Sequence, residues 1–227
     1  NGGGGIFNNG GRMPTSAATI SNNIANGADG AGGGILSAGG ALTIDNSTIS
    51  GNTANHGGGG IDNRGTLLTN NVTFAGNRAD ADGNLGGSGG GLWNNGIATL
   101  QNTIAAGNLG GSGSTVNDLA GNNLTGSSRN NLVSSASSAG GLVNGNSGNI
   151  VGDGGAGTLP LASILAPLAN NGGATLTHAL AIGSLALNAG DNALAKNYAG
   201  VLLSTDQRGT GFPRIVGGTV DIGAFES

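Results

Sequence analysis

The chain contains no cysteine, which removes disulfides, thiolate metal sites and thiol nucleophiles together. Compartment stays open on that ground, because secreted and cytosolic proteins alike can do without cysteine. Lysine occurs once, at Lys196, and Arg12, Arg64, Arg78, Arg129, Arg208 and Arg214 are scattered, so no basic stripe exists to neutralise phosphates. Nucleic acid is therefore not an expected partner. The aromatics, one Trp, one Tyr and four Phe, are dispersed, and neither a base-stacking platform nor a sugar-stacking strip is legible. No apolar run approaches the roughly 20 residues of a membrane helix. No basic segment followed by an apolar stretch resembles a leader peptide.

Glycine and asparagine fill the space left by these absences. Of 227 residues, 51 are Gly and 31 are Asn, more than a third of the chain, which excludes a helical bundle. Leu, Ile, Val and Phe together number 49, at the edge of the range in which a chain fails to bury enough apolar surface. A net charge of -4 and apolar residues that recur in register favour a folded protein over a disordered one. The length suits one continuous body. The sequence opens at Asn1 inside a Gly run that reads as the middle of a repeat, so processing, trimming or missing upstream turns are expected.

Four copies of a glycine triplet lead into an apolar residue: Gly3-Gly4-Gly5-Ile6, Gly32-Gly33-Gly34-Ile35, Gly58-Gly59-Gly60-Ile61 and Gly89-Gly90-Gly91-Leu92, with anchors 29, 26 and 31 residues apart. A second landmark follows each: Ile20-Ser21-Asn22-Asn23, Ile49-Ser50-Gly51-Asn52, Phe74-Ala75-Gly76-Asn77 and the looser Ile104-Ala105-Ala106-Gly107-Asn108. Between them lie strand-like segments, Ala41 to Ile44, Thr66 to Thr69 and Ile97 to Leu100. Asn46, Asn71 and Asn102 each precede the closing Asn by six residues, so length variation is confined to the stretch before the next Gly run.

Helical repeats need Ala, Leu, Glu and Lys in quantity, leucine-rich repeats need Leu at several fixed places, and propeller blades are longer and more aromatic. What remains is an all-β, right-handed parallel β-helix, or β-solenoid, with one coil per repeat at about 4.8 Å spacing. Ile6, Ile35, Ile61 and Leu92 are expected to stack as one interior column. Ile20, Ile49, Phe74 and Ile104 form a second, the last one residue out of register. Asn23, Asn52, Asn77 and Asn108 are expected at a corner, left-handed in backbone and amide-bonded from coil to coil.

Composition changes near Leu159: 41 Gly precede it and 10 follow. Residues 1–158 are read as coils, and 159–227 as final coils and a C-terminal cap over the open end. The run Leu165-Ala166-Pro167-Leu168-Ala169-Asn170-Asn171-Gly172-Gly173 through His178-Ala179-Leu180, then Asn188-Ala189-Gly190-Asp191, Thr205-Asp206-Gln207-Arg208-Gly209, Phe212-Pro213-Arg214 and Asp221-Ile222-Gly223-Ala224-Phe225-Glu226, closely resembles the C-terminal signature of the choice-of-anchor Q family. The repeats are similar to those of polymorphic outer-membrane proteins. The resemblance implies a bacterial, exported right-handed β-helix protein, with a sorting segment often following the final Phe-Glu. It supplies no catalytic residues. No such segment follows Ser227, so export is expected and attachment is left open.

Three groups of residues could carry chemistry. Asp80-Ala81-Asp82-Gly83-Asn84 begins like a Ca²⁺ loop but lacks the later bidentate Glu. Asp29, Asp45, Asp62, Asp80, Asp82 and Asp118 occupy different repeat positions and form no evident pair for glycan cleavage; Asp45 aligns with Asn70 and Gln101 at an outward polar position. His178, Asp206, Arg208 and Asp221 could pair a base with an anion-holding Arg, yet an Asp-Arg bridge locking the cap explains them without activity. His56 reads as a solvated corner. Asn46, Asn71 and Asn123 head N-glycan sequons, common in such a composition. The expectation is a non-enzymatic extracellular or cell-surface solenoid, structural, filament-forming by end-to-end association, or adhesive toward a glycan or surface ligand. It is expected to need no cofactor, calcium being the alternative. The rival is a polysaccharide-binding or polysaccharide-cleaving β-helix with Trp93 as its sugar-stacking residue.

Overall fold

A computed structural model describes residues 2–84, 86–111 and 115–227. The first turn carries β1 (Ile6–Ser16), β2 (Thr19–Ser21) and β3 (Ile24–Ala25), and the second β4 (Ile35–Ser50) and β5 (Thr53–Ala54). The third holds β6 (Ile61–Asn63) and β7 (Thr66–Ala75), and the fourth β8 (Leu92–Asn94), β9 (Ile97–Gln101) and β10 (Ile104–Ala106). A shortened turn follows with β11 (Leu119–Gly121) and β12 (Leu132–Val133), and β13 (Ile150–Val151) stacks on β12 beyond it. Each strand pairs in parallel with its counterpart one coil away, giving a β-solenoid of about four turns with almost no helix.

Glycine triplets precede the column residue because two chains meet there. A side chain on Gly60 would begin 2.5 Å from the Gly91 carbonyl oxygen, and one on Gly91 would begin 2.7 Å from that of Asp118. The first glycine of the second, third and fourth triplets, Gly32, Gly58 and Gly89, is left-handed, at φ +64, +70 and +67, where a side chain is strained.

Ile6, Ile35, Ile61, Leu92 and Leu119 pair in succession and form one column of the interior. A second runs Ile20, Ile49, Phe74, Ala105, Val133 and Val151. Ile104 is not in it. It pairs with Thr73 and belongs to a separate apolar cluster outside the coil. Alternation across the strand sets this, since a shift of one residue moves a side chain to the opposite face.

Asn52, Asn77 and Asn108 are buried at one corner, with Asn23 half-buried above them. Their amides bond from coil to coil, but their backbones are not left-handed. The left-handed residue is the one before, Asn22, Gly51, Gly76 or Gly107, at φ +56 to +65. A second left-handed position falls on Asn46, Asn71, Asn102 and Asn130, at φ +45 to +54, where each turn bends between its long strand segment and the next. Asparagine tolerates this conformation better than other side-chain-bearing residues.

The end of the solenoid is closed by residues 134–158, from which Ala136, Ala139, Leu142 and Val151 pack into the interior cluster. Residues 159–227 do something other than the expected capping of that end. They form a strap along one side. After a single helical turn, α1 (Leu161–Ile164), an antiparallel pair of β14 (Leu165–Ala169) and β15 (Thr177–Leu180) reaches the first two coils, where Thr19 donates to the Leu176 carbonyl and Ser50 bonds His178. Farther along, Asp191 meets Asn102, and Asn130 donates to the Ala189 carbonyl. Ile164, Leu165, Ala186 and Ile222 cover Ala75, Ile104, Ala106 and Leu132 on the outer face of the sheet. Parallel sheets are ordinarily covered on both faces, and outward apolar side chains such as Ile104 and Leu132 create the need here.

Candidate functional site

Two buried polar assemblies concentrate the ionisable chemistry of the chain. One is the asparagine ladder. The Nδ2 of Asn23 donates to Asn52 Oδ1 (2.9 Å), Asn52 to Asn77 (2.9 Å), Asn77 to Asn108 (2.8 Å) and Asn108 to Asp118 Oδ1 (2.9 Å). The backbone N–H of each upper residue donates to the same oxygen, and the second amide hydrogen of Asn52, Asn77 and Asn108 reaches a main-chain carbonyl, Ile20, Ile49 or Phe74. Each of these three amides therefore donates forward to the next side chain of the stack and back to the main chain of the previous coil.

Asp118 ends it. Its second oxygen accepts from the Ser134 hydroxyl (2.6 Å) and the Ser135 N–H (3.2 Å). Fully buried, the carboxyl is pushed up to about 6 by desolvation, against the pull of these donors. Asp118 stands where the coils above have the last Gly of the triplet, since Leu119 pairs with Leu92. A polar residue in place of a required glycine is the signal by which the sequence could have shown it.

The second assembly locks the strap to the solenoid. The Arg208 guanidinium pairs with Asp206 (2.7 Å), lies 4.0 Å from the Phe212 ring centre and 3.8 Å from that of Phe225, and donates to the Glu226 carbonyl. Arg214 is fully buried and bonds Glu226 Oε2 (3.1 Å), the carbonyls of Asp221 (3.0 Å) and Gly223 (3.1 Å), and Asn46 of the second coil (3.3 Å). Burial pulls its proton affinity down, and Glu226, Asp206 and Asp221 hold it charged. Glu226 is pushed up by desolvation, while the N–H groups of Asp221 and Val216 oppose this. Asp221 accepts from Asn188 N–H (2.6 Å) and Ser227 N–H (2.8 Å). Gln207 is buried between strap and coils: its Oε1 accepts from Thr48 (2.6 Å), and its amide faces Thr19 and the Ala18 carbonyl.

The residues singled out in sequence thus divide. Asp206, Arg208 and Asp221 meet in this lock. His178 does not join them: its Nδ1 donates to the Ala166 carbonyl (2.7 Å), its Nε2 accepts from Ser50 (2.9 Å), and burial keeps it neutral by lowering its pKa. Asp45 holds the register with Asn70 expected of it, but the strap buries it, with Tyr198 N–H on Oδ2 (2.9 Å) and Ser16 on Oδ1; desolvation raises its pKa. Asp62 pairs with Arg64 (2.9 Å). Trp93 stands directly over Gly57, whose Cβ would begin 2.8 Å from the indole, and His56 meets it edge-on at 6.5 Å.

In the Asp80–Asn84 loop, Asp80 is buried at φ +51 and Asp82 accepts from Asn84 N–H (3.3 Å), a local turn. No group of three His, Asp or Glu side chains able to hold a metal occurs among the described residues. Of the three sequon asparagines, Asn46 and Asn71 are buried and Asn123 is exposed. Reading the sequence missed Arg214 and Gln207, which reach Asn46 and Thr48 of the second coil, and Glu226, which binds Arg214 and the N–H groups of Val216 and Asp221 within the strap. Compared with protein-family models, curated proteins and solved structures, the chain has no match in any of the three.

Proposed function

We propose that this chain is a non-enzymatic, extracellular or cell-surface solenoid whose exposed lateral face is a structural or adhesive surface. The observation that carries the reading is the occupation of eight ionisable side chains enclosed by the coils and the strap: Asp45, Asp118, His178, Asp206, Arg208, Arg214, Asp221 and Glu226 are each engaged by main chain, by neighbouring polar side chains or by one another. A side chain that must move a proton to or from a substrate needs a free position facing it.

The exposed face supports the adhesive role. Arg12, Ala41, Thr66 and Ile97 stack in one outward column and Pro14, Thr43, Leu68 and Thr99 in the next, with Arg12 alone charged. Thr66 and Ile97 are exposed, while the strap covers Asp45 at the edge of this face and the sheet beyond Asn46. Uncharged, regularly spaced methyl and hydroxyl groups suit an uncharged, extended ligand such as a neutral glycan. The similarity of residues 165–226 to the choice-of-anchor Q signature supports export.

The test is a panel of neutral and acidic polysaccharides scored for both binding and cleavage. Binding to a neutral polymer that is weakened by Thr66→Arg and Ile97→Glu, with no reducing ends or unsaturated products released, is the expected result. Turnover abolished by a single substitution of His178 or a carboxylate, with the fold intact by circular dichroism, would overturn the reading.

A further inference from the structure

One contact that ties the strap to the coils also has the form of a nucleophile and its base. Ser50, at the end of β4, donates its hydroxyl to Nε2 of His178 on β15 (2.9 Å), and Nδ1–H of the same ring donates to the Ala166 carbonyl on β14 (2.7 Å). The second bond fixes the tautomer: a carbonyl only accepts, so the ring nitrogen that faces Ser50 is the one without a proton. Burial keeps the ring neutral. A hydroxyl bonded to a neutral imidazole that a third group orients is the arrangement that activates serine for attack. His178 has no position free for a proton from outside, but the proton within its reach is that of Ser50.

The pair lies beside a hollow. Leu161, Ala162, Leu165, Ala166, Pro167 and His178 line a recess of about 360 Å³, apolar except for the imidazole. Ser50 belongs to the outward row Ser21, Ser50, Ala75 and Ala106. Ala75 and Ala106 pack with Leu161 and Leu165 in one apolar cluster, so methyl groups surround the approach to the hydroxyl. Ser50 and His178 are 6% and 7% exposed, and the recess on which His178 opens is the way to them.

We propose that Ser50 is a site of self-acylation, taking a short acyl chain from an activated ester with His178 as the base and the recess as the seat of the chain. Oγ attacks the acyl carbon and forms the new ester bond as the bond to the leaving group breaks; Nε2 takes the Ser50 proton and passes it to the departing thiolate or phenolate. Two features set the donor and the extent of reaction. The main-chain N–H that follows Ser50, that of Gly51, is committed to the Ala75 carbonyl (3.1 Å), so the oxyanion lacks its usual neighbouring donor and the leaving group must be a good one, as in a thioester or aryl ester. An acyl chain in the recess covers His178 and keeps water from Nε2, so the ester persists and each protein molecule reacts once.

The probe is p-nitrophenyl hexanoate incubated with the full chain, with phenolate release followed by absorbance and the adduct by intact mass and peptide mapping. The expected result is release of about one equivalent and one hexanoyl group on Ser50. Ser50→Ala is expected to carry no adduct there, and His178→Gln to acylate about a hundredfold more slowly, each with the fold checked by circular dichroism. Ala162→Trp, at an exposed position, fills the recess without touching the pair and is expected to slow the hexanoyl ester about tenfold more than p-nitrophenyl acetate. No adduct at Ser50, or one formed equally fast in His178→Gln, overturns the proposal. Equal effects of Ala162→Trp on the two esters remove the recess from it and overturn it as well. Phenolate released continuously with Ser50 unmodified makes the pair a hydrolase and rules out self-acylation. None of these readouts involves a polysaccharide, so this proposal and the glycan-binding reading stand or fall separately.

Discussion

Asp118→Asn replaces a carboxylate by an amide of the same shape at the end of the buried ladder. Burial raises the Asp118 pKa from 3.8 to about 6, so the folded chain binds more protons than the unfolded chain between those values. The contribution of this group to stability therefore falls as pH rises from about 4 to about 6 and stays low above that. At about 1.4 kcal/mol per pH unit the interval amounts to about 3 kcal/mol. The asparagine variant has no such dependence. It still accepts from Asn108, and Ser134 can turn its hydroxyl to accept from the new amide, but the Ser135 N–H, now 3.2 Å from a donor, is orphaned at a cost of about 1–3 kcal/mol. The two proteins are thus expected to be close in stability at pH 7–8 and the variant weaker at pH 4, with the difference changing by about 3 kcal/mol. Urea unfolding at pH 4, 5, 6, 7 and 8 measures it. Taking the difference cancels other titrating groups, including His178 with its opposite sign. Profiles that run parallel within about 1 kcal/mol would refute the assignment of a desolvated carboxyl to the ladder terminus.

Other outcomes follow from the same contacts. Asn77→Leu removes a rung in mid-ladder, leaving the Asn52 donors without an acceptor and the Ile49 carbonyl and Asn108 Oδ1 each short of a donor; a loss of about 2–4 kcal/mol is expected in urea unfolding. Arg214→Met strands Glu226 in the lock and is expected to cost about 3–5 kcal/mol, and adding Glu226→Gln is expected to recover part of this, which a double-mutant cycle reads directly. His178 is buried neutral, so the unfolded chain takes up a proton below about pH 6.5 that the folded chain resists. Stability conferred by this residue is present above that pH and lost below it, and a His178→Gln variant is expected to lose less than the wild type between pH 7 and 5, by thermal melting.

Much of the fold was legible because a solenoid repeats its contacts. Ile6, Ile35, Ile61 and Leu92 recur at one offset from a glycine triplet, and stacking like on like turns that recurrence into a column. The corner asparagines were legible for the same reason. Their backbone conformation was not, because it depends on which of two adjacent residues absorbs the bend, and Gly51, Gly76 and Gly107 do so one place earlier. Ile104 misled because the loosened fourth repeat carries apolar residues on both sides of the strand, and only pairing with Thr73 shows which faces in.

The sequence by itself determined the parallel coil, its period, its two apolar columns and its ladder, all properties of short segments that recur and therefore average over copies. Only the tertiary structure decided where residues 159–227 lie, that Asp118 ends the ladder, and that Arg214 reaches Asn46 while His178 reaches Ser50. These contacts join segments that do not repeat. Arg214 and Asn46 are 168 positions apart, and His178 and Ser50 are 128 apart. No periodicity records such a pairing, and the burial that turns a candidate base or acid into a structural bond arises only when the strap meets the sheet.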